Sequence, residues 1–367
     1  MSLSRRLIPL ALLLWVFAFA LAAPSQDAAT SIKNETERLQ KSLKEKPASN
    51  SDFAEAGDAA KAALQAAAQA SAAGDFYSSL ESLGRAADLL GGIRVMVDQA
   101  SLVKQGLPAF EAAWGAASQR LAALDKKAHE RTWGAAAVAV RALSEAAQGK
   151  AIPLLDGARG FAISKGPAEG LFYMGQAEGE AEFAGFCAAL NLPAAKAKFP
   201  LRSYLPELQA LQAKANAAFQ PPRSIDLHPR FIALNSTIKL AEELDSTRFH
   251  AGALYQYLEA IRHYGMLEAP PLDDANQSRL KEDLAATQKK LSASTNDDSI
   301  AELFLQRAWS QTSHADGTAP TADEWRSARV ILDQVLPAYA AARQPASPLQ
   351  KASGKTVEIT LVRWPYT

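Results

Sequence analysis

The stretch GDFYSSLESLGRAADLL, residues 74–90, decides the fold class. Phe76, Leu80, Leu83, Ala87 and Leu90 recur at steps of four and three, the spacing of one face of an α-helix. The same periodicity returns in Phe231, Leu234, Ile238 and Ala241, and again in Trp325, Ala328, Leu332, Val335 and Tyr339. Boundary signals agree. Ser299 with Glu302 and Thr321 with Glu324 have the spacing of a capping box, in which the two side chains satisfy free N–H groups of a first turn. Gly74, Gly91-Gly92, Gly149, Pro193, Pro221-Pro222 and Pro270-Pro271 read as stops between periodic runs. Residues 48–107 and 230–269 contain no proline, as long helical hairpins require.

Composition points the same way. Of 367 residues, 77 are alanine, the best helix former because it loses no side-chain entropy on folding. Hydrophobic residues make up 48%, which excludes wholesale disorder. The expected fold class is therefore all-α: ten or eleven helices stacked as antiparallel hairpins, solenoid-like or bundled, with one extended C-terminal β-strand. Tight helix contacts are expected at Gly175 and Gly179, with Ala181, Ala184 and Ala188, and along Ala56, Ala60, Ala63, Ala67 and Ala70, where little side chain separates neighbours. Glu178, Glu180 and Glu182 exclude lipid as the surroundings of the first of these helices.

The chain divides by composition. Residues 1–22 read as a secretory signal peptide: Arg5 and Arg6 precede an apolar run from Leu7 to Leu21, and Ala20-Leu21-Ala22 forms a small-x-small cleavage site. An uncleaved anchor is the alternative, since Leu7–Ala23 approaches the length of a membrane span. Residues 23–50 read as a charged stalk or linker holding a helix from Ala29 to Lys46. Residues 51–192 form an N-terminal helical lobe, 193–230 a Pro-rich connection, and 231–343 a C-terminal lobe. Residues 344–355 form a linker, and 356–367 an extended tail. In that tail Val357, Ile359 and Leu361 alternate onto one face and Trp364 follows. A lone strand needs backbone partners. It finds them in a groove of its own helices, or at an edge strand of another protein or another copy of itself; a disordered tail is the remaining alternative.

Charge excludes another class. Without Arg5 and Arg6 the chain holds 37 basic and 39 acidic residues, a net of −2, and the basic residues are scattered, so no phosphate-tracking patch for nucleic acid exists. Cys187 is the one cysteine, so no internal disulfide forms. Phe183, Phe186 and Leu190 around it predict a buried, inert thiol.

Three segments share a G-x-[FL]-Y pattern: Gly74-Asp75-Phe76-Tyr77, Gly170-Leu171-Phe172-Tyr173 and Gly252-Ala253-Leu254-Tyr255. The first, followed by Leu80, Leu83 and Ala86, resembles the second helix of a tetratricopeptide repeat over about seventeen residues. The family's tryptophan and closing proline are missing at matching offsets. What the resemblance implies is a protein-binding scaffold of stacked α-hairpins.

Catalytic signatures are missing. No G-x-x-x-x-G-K-[ST], G-x-G-x-x-G or G-x-S-x-G occurs, His129-Glu130 lacks the second histidine of a zinc protease, and no histidine has a glutamate three residues before it. No cofactor and no metal site is expected. One segment is richer: Tyr255, Glu259 and His263 fall at four-residue steps with Arg262 beside them. That group either binds a polar ligand, with Glu259 orienting His263 for proton transfer, or is a helix face hydrogen-bonded to its neighbour. The sequence thus points to an exported, non-enzymatic scaffold or binding protein. Its counterpart is a helical-toroid enzyme or small-ligand binder using the Tyr/Glu/His cluster.

Overall fold

The computed structural model describes residues 26–45, 53–134, 136–190, 199–220, 225–314 and 317–344. The expected signal peptide and the expected C-terminal strand with Val357, Ile359, Leu361 and Trp364 lie outside them. The described residues are all-α. In chain order the helices are α1 (Gln26–Glu45), α2 (Ala54–Ala73), α3 (Phe76–Asp98), α4 (Ala100–Gln105), α5 (Leu107–His129), α6 (Val138–Ser164) and α7 (Pro167–Ala189). There follow α8 (Leu205–Ala218), α9 (His228–Ser246), α10 (His250–Glu268), α11 (Asp274–Ser292), α12 (Ser299–Thr312), α13 (Ala322–Val330) and α14 (Leu336–Ala342). A π-helical turn, Ile331–Val335, joins the last two into one rod. It directly precedes Leu336 and Pro337, and proline has no N–H with which to continue the α-ladder.

Helices α6 and α7 sit at the centre. Their outer faces, with Leu155, Leu171 and Met174, close over Phe110 and Leu121 of α5. Their other faces join a continuous core running from Ile32 and Leu64 through Leu80, Leu83, Leu143, Phe183 and Leu254 to Phe304 and Val335. A helix buried on both faces cannot show a clean amphipathic stripe, and α7 mixes its apolar residues with Gln176, Glu178, Glu180 and Glu182. One core spans the two expected lobes, because α10 packs on α6 as well as on α9. The Pro-rich connection contributes α8, which packs on α9 and α10.

The charged N-terminal helix does not stand free as a stalk. It begins at Gln26 and lays Ala28, Ile32 and Leu39 into the core against α2 and α3. Its charged residues form the outer face, where Lys33–Glu37 and Lys41–Glu45 pair at i, i+4.

Three glycine signals differ from their reading as stops. Gly91 and Gly92 lie inside α3, where a side chain on Gly91 would strike the carbonyl of Gly175, and one on Gly92 the ring of Phe172. Gly149 lies inside α6 against Leu244. These glycines mark close helix approach rather than chain reversal. The small stripe Gly175/Gly179 is what α3 packs against, through Ala87 and Gly91. Gly74 does end a helix, in the left-handed conformation at φ 85°.

Capping also divides. Thr321 and Glu324 form the full box: the Glu324 N–H donates to Thr321 Oγ1 at 3.2 Å, and the Thr321 N–H donates to Glu324 Oε2 at 2.7 Å. Ser299 makes no box with Glu302. Its Oγ donates to Asp297 Oδ1 at 2.6 Å and accepts the Ala139 N–H at 2.9 Å, while Asp297 Oδ2 accepts the Val138 N–H at 2.8 Å. Asp297 and Ser299 therefore cap α6 from 160 residues away, satisfying first-turn donors that α6 has no local side chain to meet.

Candidate functional site

The predicted quartet sits on α10, and its members separate. Tyr255 and Glu259 are buried, Arg262 and His263 half-buried. Glycine at 252 lets this face close on α6, because a side chain there would strike Glu145. The carboxylate of Glu145 accepts the Gly252 N–H at 2.9 Å and pairs with Arg141 at 2.6 Å, so α6 supplies the negative cap of α10.

Two residues outside the quartet organise it. Arg307 of α12 reaches between α3 and α10 and pairs with Glu81 and Glu259. Its Nε donates to Glu81 Oε2 at 3.0 Å, and its Nη2 lies 3.2 Å from the Tyr255 hydroxyl. That hydroxyl donates to Glu81. Arg262 adds a 3.0 Å bond from Nε to Glu259 Oε2. The guanidinium of Arg307 lies over Phe304, with Cζ 4.9 Å from the ring centre. Two carboxylates and two guanidiniums thus balance, joined by planar bidentate geometry that only arginine offers.

The charges respond accordingly. Burial alone would raise the Glu259 carboxyl, but Arg307 and then Arg262 outweigh it and hold the group at about 2. Burial raises the Tyr255 phenol well above its ordinary value. Burial, followed by the Arg262 charge, lowers His263. His263 receives no carboxylate contact from Glu259; the group within reach of its Nε2 is Arg262 Nη2, at 3.5 Å. The Glu–His relay considered for this stripe is therefore not assembled. Arg307 takes the place that His263 would have needed.

A second polar network lies two turns further along α3. Asp88 accepts from Gln176 Nε2 at 3.2 Å, and beside it Lys150 of α6 pairs with the buried Glu180 at 3.2 Å. Asp88 Oδ1 is buried without a partner. Burial, and next the Glu180 charge, push the Asp88 carboxyl up to about 7. Glu178 and Glu182, on the same helix as Glu180, face outward instead and bridge to Arg120 and Arg94.

Cys187 is fully buried, and desolvation raises its thiol far above the usual range. Among the described residues no group of His, Cys, Asp and Glu is disposed to hold a metal ion. No helix among them is long and apolar enough to cross a membrane.

A cleft with several polar residues lies elsewhere, between the end of α5, the middle of α6 and the α9–α10 turn. It has a volume of about 360 Å³ and is lined by Asp125, His129, Gln148, Pro153, Asp156, Glu243 and Phe249, among others. Sequence periodicity could not find it, because its walls come from three helices and the α9–α10 turn, over a hundred residues apart at the extremes. A proline inside a helical run, Pro153, was the one local signal.

The chain matches no family model, no curated protein and no solved structure.

Proposed function

We propose that this protein is an exported, non-enzymatic helical scaffold that binds a protein partner. The observation that supports it best is Arg307 between Glu81 and Glu259: the side chains with the most catalytic character join α3, α10 and α12 instead of facing a substrate. The result ties these three helices to the core that runs through both lobes. The short tetratricopeptide-like segment at 74–90 and the secretory pattern of residues 1–22 fit the same role.

In this reading residues 356–367 supply the partner contact. Val357, Ile359 and Leu361 form the face that adds to an edge strand, and Trp364 anchors the end. Partner capture from the exported fraction tests it with three baits: the chain from Ala23, the chain truncated after Lys355, and Ile359→Pro, which removes a backbone donor from the ladder. A partner held by the first bait and lost by the other two is expected. Capture unaffected by truncation, or no specific capture by any bait, overturns the reading. N-terminal sequencing of the exported protein should begin at Ala23.

A second reading, a small-ligand binder, is favoured by one observation, the cleft at Asp125 and Asp156, and not by the Tyr255 cluster.

A further inference from the structure

Asp88 sits at the crossing of α3 and α7. A Cβ on Gly179 would strike the Ala87 carbonyl and lie 3.3 Å from the Asp88 Cα, and one on Gly175 would strike the Gly91 carbonyl a turn further along α3. The two helices meet backbone to backbone here, so water can reach the inner side of Asp88 only if they part.

The carboxyl is satisfied on one side only. Its Oδ2 accepts Gln176 Nε2 at 3.2 Å, while Oδ1 is buried with no partner. An orphan oxygen is tolerable on a neutral acid and costly on a carboxylate, whose charge needs donors or water. The charged neighbours do not supply them. From α7 the buried Glu180 faces Asp88 as a second carboxyl. From α6 Lys150 pairs with Glu180 at 3.2 Å, and with 43% of its side chain exposed it has room to move. On α3 itself Arg85 is exposed, and Glu81 is held by Arg307 of α12. Glu55, Asp58 and Lys61 of α2 are exposed, and Glu35 and Arg38 of α1 pair with each other.

We propose that this crossing is a proton-operated switch: protonated, Asp88 lets α3 seat on Gly175 and Gly179, and ionised, it parts the two helices locally and draws water to Oδ1. Burial and then the Glu180 charge hold the seated carboxyl up at about 7, whereas a parted, hydrated carboxyl returns to its ordinary value of about 4. The seated state therefore binds the proton more tightly, and loss of that proton favours parting by the same factor. Opening rises with pH between those two values and levels off above the upper one. The switch goes beyond the partner-binding role. It shares no residue with the C-terminal tail, so either proposal can fail without the other.

Cys187 is a built-in reporter. It is fully buried on α7, two turns beyond Glu180 and one beyond Phe183, whose ring lies against Gly84 of α3. The full chain is labelled with 4,4′-dithiodipyridine from pH 5 to pH 8, and each rate is divided by the rate in denaturant at the same pH, which removes the thiol's own ionisation. In wild type the normalised rate should rise about tenfold or more between pH 5 and pH 7 and then level off. In Asp88→Asn, which keeps the shape of the neutral acid, it should stay flat. In Glu180→Gln, Lys150 is released to meet the ionised carboxylate, and the rise should shrink. A flat wild-type profile, an equal rise in Asp88→Asn, or an undiminished rise in Glu180→Gln would overturn the proposal. So would wild-type labelling with an opening constant equal to that of global unfolding in guanidinium at the same pH, because the response would then belong to the whole fold.

Discussion

Two of the acidic residues of α3, Glu81 and Asp88, lie seven positions apart, and the protein treats them in opposite ways. At Glu81 the network is closed: two carboxylates meet two guanidiniums, and the Tyr255 hydroxyl completes the bonding. At Asp88 it is open: Lys150 pairs with Glu180, Asp88 takes a neutral donor from Gln176, and one of its carboxylate oxygens has no partner. The difference is a matter of counting charge. A buried ion network stabilises only when every charge and lone pair is met, so the first acts as a fixed lock and the second as a titrating group near neutrality.

The largest expected effect breaks the lock. Arg307→Met leaves Glu81 without its cation and Glu259 with Arg262 alone, and should destabilise the fold by about 3–5 kcal/mol in guanidinium unfolding. Next comes the crossing that holds the open network together. Gly175→Ala drives a methyl into the Gly91 carbonyl and should cost about 1–3 kcal/mol. By parting α3 from α7 it should also return the Asp88 carboxyl toward its ordinary range, visible in side-chain NMR titration.

The third prediction sharpens the contrast through pH. Asp88 is raised in the folded state, so its favourable contribution is complete at low pH and is lost as pH rises from about 4 through about 7. Asp88→Asn should remove that loss and raise Tm at pH 8 relative to wild type. Glu259 is depressed and behaves in the reverse sense: its contribution holds above its ordinary value and is lost only as pH falls toward about 2. Wild-type stability should therefore fall at both ends of the range, and Asp88→Asn should repair only the neutral end.

The smallest expected effect gives a scale from outside both networks. Thr321→Ala removes a surface cap with full local geometry and should cost about 1 kcal/mol.

Much of this was legible in the chain. The stripes at Leu80–Leu90, Phe231–Ala241 and Trp325–Tyr339 give their helices and most of their buried faces, because period 3.6 follows directly from helix geometry. The buried state of Cys187 and the Thr321 cap were equally local properties. Long-range choices were not. Gly91 and Gly149 read as stops because glycine has two uses, and only the approach of α7 or α9 distinguishes them. Ser299 read as a cap of its own helix, yet α6 arrives within reach and takes its oxygen. The Tyr255, Glu259, Arg262 and His263 stripe was visible, but its meaning depended on Glu81 and Arg307, which lie 174 residues before Tyr255 and 48 residues after Glu259. No spacing rule joins positions that only the folded chain brings together.

The central claim is that this cluster is a lock rather than a site, and one comparison tests it most directly. Unfolding free energies are measured for wild type, Arg307→Met, and the triple variant Arg307→Met, Glu81→Gln, Glu259→Gln. If the cluster is a lock, the single variant loses about 3–5 kcal/mol and the triple variant recovers half of that or more, because no unpaired carboxylate remains buried and the half-buried Arg262 keeps access to solvent. A single variant as stable as wild type, or a triple variant less stable than the single, would contradict it.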